Sequence, residues 1–361
     1  MHPHIPKWFA ALFVVLALVA TACAEEEEPT DQGADGGQQV DFTACQVTDT
    51  GGVDDRSFNQ TAFEGMKAAE EDLGLTEPQV LESQTPDDFE PNINQFLQQG
   101  CDLIITVGFL LGDATAAAAE ANPDQQFAIV DFDFFDEEGN DVTYDNVREL
   151  TFDTDQAAFL AGYVAAAMSE SGKVGTYGGI NIPTVTIFME GLAAGVDYYN
   201  EQKDTNVEVL GWNPDTQKGL FTGDFENQDK GRRITESLLG EGADIILPVA
   251  GPVGLGTAAA VQDAGEGSVI WVDTDGCVSV REFCDLFLTS IKKNMDVAVF
   301  DTIQAAVEGS FEGGLYVGTL ENDGVGIAPF HEFEDEVPEE LKSEIGQLRD
   351  GIIDGSISVE P

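Results

Sequence analysis

From Phe42 to the end of the chain, short apolar runs and helix-patterned stretches take turns. Strand-like runs fall at Thr43–Thr48, Gln79–Leu81, Asp102–Val107, Phe127–Asp131, Val147–Phe152 and Lys173–Tyr177. More follow at Val207–Leu210, Asp244–Pro248, Val269–Asp273, Leu286–Ser290 and Gly314–Thr319. Between them, stretches such as Gln60–Leu73 carry apolar residues at helical spacing: Ala62, Met66, Ala69 and Leu73 share one face. Ser57-Phe58-Asn59-Gln60 reads as a capping box before that helix, and Gly74 as its stop. Alternation repeated this often implies parallel sheets with helices on both faces. About eleven strands are too many for one comfortable doubly wound sheet, and a (β/α)8 barrel would leave several over. An α/β chain of two Rossmann-like lobes is expected. Ligands of such sheets sit beyond the carboxyl ends of the strands, so the cleft between two facing lobes is the place for a site.

Charge narrows the partners. Fifteen basic residues stand against 68 acidic ones, a formal charge of −53. A polyanion of this kind repels nucleic acid and anionic lipid headgroups, so neither is an expected partner. The acidity reads as a solubilising surface, suited to high salt. With 42% hydrophobic residues the chain still has ample material for a core.

The N-terminus sets an address. Trp8–Ala20 is an uninterrupted apolar run, too short for a mature membrane span and right for a signal-peptide core. It leads into Val19-Ala20-Thr21-Ala22-Cys23, which resembles a bacterial lipobox, implying cleavage before Cys23 and acylation of that residue. The alternative is an ordinary secretory signal cut after Ala22; both export the chain. Ala24–Asp41 has only Val40 as a sizeable apolar side chain and reads as a flexible tether, spanning roughly 20–25 Å.

Four cysteines remain, an even number that in an exported protein favours disulfides over metal. Cys277 and Cys284 close the short loop DGCVSVREFC, and Cys45 and Cys101 pair by elimination. No Cys-x-x-Cys occurs, and the histidines (His2, His4, His331) lie near the ends. No metal, cofactor or Ser–His chemistry is expected.

The strand ends carry the candidate binding groups. The first strand runs into Thr48-Asp49-Thr50-Gly51-Gly52-Val53-Asp54-Asp55-Arg56-Ser57-Phe58-Asn59. It lacks the phosphate-cradling spacings, and its carboxylates would repel a phosphate. Asp131 and Asp273 each end an apolar strand, where a helix-capping role is the competing explanation. Gly251 lies in a small-residue turn, Phe225 in a loop before a helix, and Lys293 after the Leu286–Ser290 run. Loop aromatics with several carboxylates suit a neutral, flat, hydroxyl-rich ligand.

TDTGGVDDRSFNQTAFEGMKAA, NPDQQFAIVD, ADIILPVAGPVGLG, VDTDG and LTSIKKNMDVAVF occur in this order, followed by Gly324–Pro329. Together they resemble the basic membrane protein family of substrate-binding lipoproteins, which serve ABC importers and bind purine nucleosides. The resemblance implies a type I periplasmic-binding-protein fold, two lobes joined by three crossover segments. It also implies that Phe58 and Phe225 sandwich the base and Asp131 bonds its edge. Asp49, Gly251, Asp273 and Lys293 would then contact the ribose or nearby backbone, with Ser57 and Asn59 lining the pocket. Asp275 stays open as an alternative to Asp273, because the chain departs from the family pattern at Asp273-Thr274-Asp275-Gly276, and the adjacent Lys292 stays open as an alternative to Lys293. In such a lobe the first and third strands are neighbours, which agrees with a Cys45–Cys101 pair.

The partition expected on this fold is a signal peptide (1–22), a lipid-anchored tether (23–41), an N-terminal lobe (42–172 with 291–312) and a C-terminal lobe (173–290 with 313–361). The implied role is capture of a nucleoside by lobe closure, outside the cell and lipid-anchored at its membrane, for delivery to a permease and its ATPase. A monomer without catalytic activity is expected. Competing readings are the same fold binding a sugar or a signalling ligand, and an exported hydrolase using carboxylates such as Asp49 and Asp131.

Overall fold

Several strand segments are hidden along their whole length: Ala44–Thr48, Leu103–Val107 and Ser268–Asp273 are buried at every position. A strand covered on both faces belongs in a parallel sheet between helical layers. The computed structural model, which describes residues 40–136 and 138–359, has that arrangement. The chain begins β1 (Ala44–Thr48), α1 (Phe58–Leu73), β2 (Gln79–Glu82), α2 (Phe89–Gln99), β3 (Leu103–Val107), α3 (Gly112–Ala121), β4 (Gln126–Val130) and β5 (Val147–Phe152). It continues α4 (Thr154–Met168), β6 (Lys173–Gly178), α5 (Pro183–Lys203), β7 (Glu208–Leu210), β8 (Trp212–Asn213), β9 (Lys218–Gly219), α6 (Gln228–Gly240) and β10 (Ile245–Val249). Then come α7 (Gly254–Ala264), β11 (Ser268–Asp273), α8 (Gly276–Ser279), β12 (Phe287–Lys293), α9 (Met295–Val307), β13 (Gly314–Gly318), β14 (Val325–Ile327) and α10 (Glu339–Ile353).

The strands form two six-stranded sheets, ordered β13-β5-β4-β3-β1-β2 and β14-β12-β11-β10-β6-β7. All pairings within them are parallel except β14 against β12. The chain passes between the sheets three times, after β5, β12 and β13. This is the α/β type I periplasmic-binding architecture expected from the alternation and the resemblance.

The lobe boundaries differ from the sequence partition. α4 packs along α5 and against β12 and β14, whereas α9 lies along α1, β4 and β5. The first crossover therefore precedes α4 and does not follow it near residue 172. β12 runs on to Lys293 in the second sheet, and Gly314–Gly318, assigned to the C-terminal lobe, pairs with β5 in the first. The reason is tertiary: α4 is buried continuously from Ala157 to Ala166, so no polar face marks which sheet it covers. β8, β9 and β14 are only two or three residues long and have no strand signal in the sequence.

Both expected disulfides are formed, with Cα atoms 6.1 Å apart for Cys45–Cys101 and 4.5 Å for Cys277–Cys284. β1 and β3 are adjacent, with Cys45 in register with Ile104. Among the described residues no helix is long and apolar enough to cross a membrane. The Trp8–Ala20 run, Cys23 and the tether to Gln39 lie outside the described residues.

Candidate functional site

In the first sheet the strand order β2-β1-β3 makes a switch point: α1, after β1, packs with α9, whereas α2 and α3 contribute to a separate apolar cluster. The loops after β1 and β3 part there and leave a crevice. In the second sheet β7-β6-β10 repeats the pattern. One cavity of about 560 Å³, including its open mouth, is lined from both. From the first sheet come Asp49 after β1, Phe58 and Asn59 of α1, Phe109 after β3 and Asp131 after β4. From the second come Val185 and Phe188 of α5, Phe225, Gly251 after β10, Asp273 of β11 and Lys293 of β12.

Lys293 organises the polar part. Its side chain is only 2% exposed, and its Nζ lies 2.5 Å from Asp131 Oδ2 and 3.7 Å from Asp273 Oδ1. The ammonium also sits 4.8 Å from the ring centre of Phe58, 5.3 Å from Phe188 and 5.9 Å from Phe152. Buried ammonium groups need such company, because desolvation opposes their charge. Asp131 (φ 64°) and Asp273 (φ 67°) both take left-handed backbone conformations, uncommon for residues other than glycine. Turned this way at the strand ends, both side chains face the cleft.

Carboxylates outnumber cations here. Asp49 is buried, and desolvation together with the nearby charges of Asp55 and Asp131 raises its pKa well above the usual range, with Asn59 opposing. Burial also raises Asp131, with Lys293 as the counterweight. Asp55 is pushed by burial to about 7, although three backbone N–H groups oppose the shift. Those donors are Ser57 N and Gln60 N to Oδ1, at 3.0 and 3.1 Å, and Asn59 N to Oδ2 at 2.8 Å. Asp55 is thus the true cap of α1, and the Ser57 capping box is not formed. Ser57 is fully buried and gives its hydroxyl to Asp273 Oδ2 at 2.6 Å.

Two glycines let these groups approach. At Gly108, with φ of 123°, a Cβ would collide with the Asp49 carboxylate. At Gly179 it would enter the Phe225 ring. The missing side chains leave room for a carboxylate and an aromatic to rest on backbone.

Residues 42–360 match the family model described as ABC transporter substrate-binding protein PnrA-like. The chain belongs to this family. A CD4+ T-cell-stimulating antigen of Listeria innocua is 31% identical over 97% of this chain and 96% of that protein. The ABC transporter nucleoside-binding protein BmpA of Lactococcus lactis is 30% identical, covering 97% of each. Among solved structures, an ABC transporter solute-binding protein from Aeropyrum pernix superposes with a TM-score of 0.76 at 26% identity, over 88% of this chain and 92% of that one. This chain is therefore an ABC transporter substrate-binding protein, and its interlobe cleft has the location and the chemistry for holding a substrate.

Of the nine residues singled out in the sequence, Asp49, Phe58, Asn59, Asp131, Phe225, Gly251, Asp273 and Lys293 line that cleft, and Ser57 stands behind it. Asp275 instead caps α8 through Cys277 N and meets His331 Nε2 at 2.8 Å. Asp55, Phe109, Val185 and Phe188 are lining residues the sequence reading did not single out. Phe109 carried a usable signal, an aromatic directly after a strand and a glycine. Phe188 carried none, being one apolar position in an apolar helix.

Proposed function

We propose that this protein is an extracytoplasmic lipoprotein that captures a purine nucleoside by closing its lobes and passes it to a permease. The observation that carries the reading is that Phe58 and Phe225, contributed by different sheets, line one cleft together with buried carboxylates. Flat aromatic rings suit the two faces of a base, each contributing roughly 0.5–1.5 kcal/mol beyond burial. Carboxylates such as Asp131 and Asp49 accept hydrogen bonds from base or ribose, each worth about 1.5–3 kcal/mol. The name of the Lactococcus relative points the same way. Contacts to both sheets are complete only when the lobes meet, so the ligand shifts the population toward the closed form. Anchoring would be through Cys23, with the acidic stretch after it as the tether.

Lys293 is already paired with Asp131 and Asp273, and Asp49 and Asp55 lie in the same cleft, so among the described lining residues a 5′-phosphate would meet no unpaired counter-charge. Calorimetry with adenosine, inosine and guanosine should give binding, and the matching 5′-monophosphates should bind at least about 100-fold more weakly. Equal affinity for nucleoside and monophosphate would overturn the reading. Mass spectrometry of ligand retained through purification would identify the natural compound. Recovery of a free sugar, with no base attached, would assign the cleft to sugars.

A further inference from the structure

Apart from the cleft itself, the two sheets meet at a second polar contact. Arg56 Nη1, in the turn before α1, donates to the carbonyl oxygen of Ser279 at 3.1 Å. Its neighbour Ser57 donates to Asp273 Oδ2 at 2.6 Å and lies 3.3 Å from the Val272 carbonyl. Arg56 and Ser57 follow a strand of the first sheet; Val272, Asp273 and Ser279 belong to the second. Arg56 is exposed, and neither it nor Ser57 lines the cavity.

The far side of this contact is held rigidly. Ser279 sits inside the loop closed by the Cys277–Cys284 disulfide. Val280 is fully buried beside Trp271 and Phe287, with Phe283 and Leu286 packed onto the same cluster. Asp275 fixes the start of the loop through Cys277 N at 3.0 Å and the side chain of His331 at 2.8 Å. On the near side, Arg56 holds a left-handed φ of 60°, and the bonds from Asp55 to Ser57, Asn59 and Gln60 fix the turn around it. A rigid carbonyl thus faces a guanidinium that is itself aimed.

We infer that Arg56 and Ser57 are positioning residues of a clasp whose other half is the disulfide-closed loop 277–284, and that this clasp sets how long a captured ligand stays. The inference rests on the capture reading above. Its bonds exist only while the two turns touch, so they stabilise the closed form and slow its opening, with little effect on entry into the open form. Ser57 acts additionally by orienting Asp273, whereas Arg56 acts through closure alone.

The test uses the full chain and inosine as probe, with rates from stopped-flow displacement and shapes from small-angle scattering. Arg56→Ala should raise the dissociation rate about fivefold and leave the association rate within about twofold, as loss of one charge-assisted bond at an exposed site predicts. Arg56→Lys, which retains one donor, should recover part of the effect. The Cys277→Ser/Cys284→Ser double variant should also release inosine faster. Combining it with Arg56→Ala should add less than the product of the two effects, since both act on the Ser279 carbonyl. An unchanged dissociation rate in folded Arg56→Ala overturns the clasp, as does full multiplicativity with the cysteine variant. If the wild-type protein binds no inosine or other nucleoside, the capture reading fails by itself, and the ligand-free shapes then decide. A larger radius of gyration for Arg56→Ala than for wild type supports the clasp, and equal radii overturn it.

Discussion

Lys293 brings a positive charge into a site that water scarcely reaches, and two carboxylates and three aromatic faces compensate it. The same lysine, on β12 of the second sheet, pairs with Asp273 beside it and reaches across to Asp131 and the ring of Phe58 on the first. Hydrogen-bonding groups and a ring face contributed by both lobes are thereby brought together where the lobes meet. Phe225 is placed independently, against the bare backbone of Gly179. If both rings stack on a base, Phe58→Ala and Phe225→Ala should each weaken nucleoside binding roughly tenfold or more in calorimetry. Undiminished binding in both variants would remove the stacking role.

At the scale of the element, α1 depends on Asp55, a carboxylate almost without exposure that accepts three backbone N–H groups at the helix start. Burial raises its pKa to about 7 in the folded protein, above the ordinary carboxylate value near 3.9 that it has when unfolded. Between those values the folded chain holds a proton that the unfolded chain has released. Its contribution to stability is therefore fully present below about pH 4, falls as pH rises, and is lost above about pH 7. Asp49 and Asp131, also raised by burial, act in the same direction. Asp55→Asn cannot ionise, so denaturant unfolding of the ligand-free variant should depend less on pH between 4 and 8 than wild type. At pH 5, where folded Asp55 is protonated, acid and amide each offer one carbonyl acceptor, so the two proteins should differ there by no more than about 1 kcal/mol. An identical pH slope in the two proteins would show that Asp55 does not carry this linkage.

For the whole molecule, charge and cross-links oppose each other. A formal charge of −53 makes the folded chain repel itself, and the screening length falls from about 10 Å in 0.1 M salt to about 3 Å in 1 M. The thermal midpoint should therefore rise by several degrees between those concentrations of potassium chloride. A midpoint that stays put would mean that the surface charge carries no net penalty. The disulfides work at any ionic strength. Cys45–Cys101 closes a loop across 56 positions and is worth roughly 4 kcal/mol on the chain-entropy account, and Cys277–Cys284 across 7 is worth roughly 2–3 kcal/mol. The longer cross-link ties β1 toward β3, the pair whose diverging loops open the cleft.

Much of this was legible in the sequence because it is written in local terms. Strand–helix alternation, the stop of α1 at Gly74, the short cysteine loop, and aromatic or acidic residues where apolar runs end all depend on near neighbours. They sufficed for two α/β lobes and the short disulfide; Cys45–Cys101 followed by elimination, and the set of candidate cleft residues came with the family resemblance. What remained is set by contacts between distant parts of the chain. Only the packed structure assigns α4 to the second sheet and β13 to the first, since an all-apolar helix and a short edge strand carry no mark of their partner. Likewise, Lys293 and not Lys292 is buried among the carboxylates, and Asp273 and not Asp275 faces the cavity. Adjacent strand residues point to opposite faces, so a one-residue choice needs the register of β12 against β11. The pairing of Ser57 with Asp273 and of Arg56 with Ser279, more than 200 positions apart, is likewise a product of the meeting of two lobes, and no local pattern encodes it.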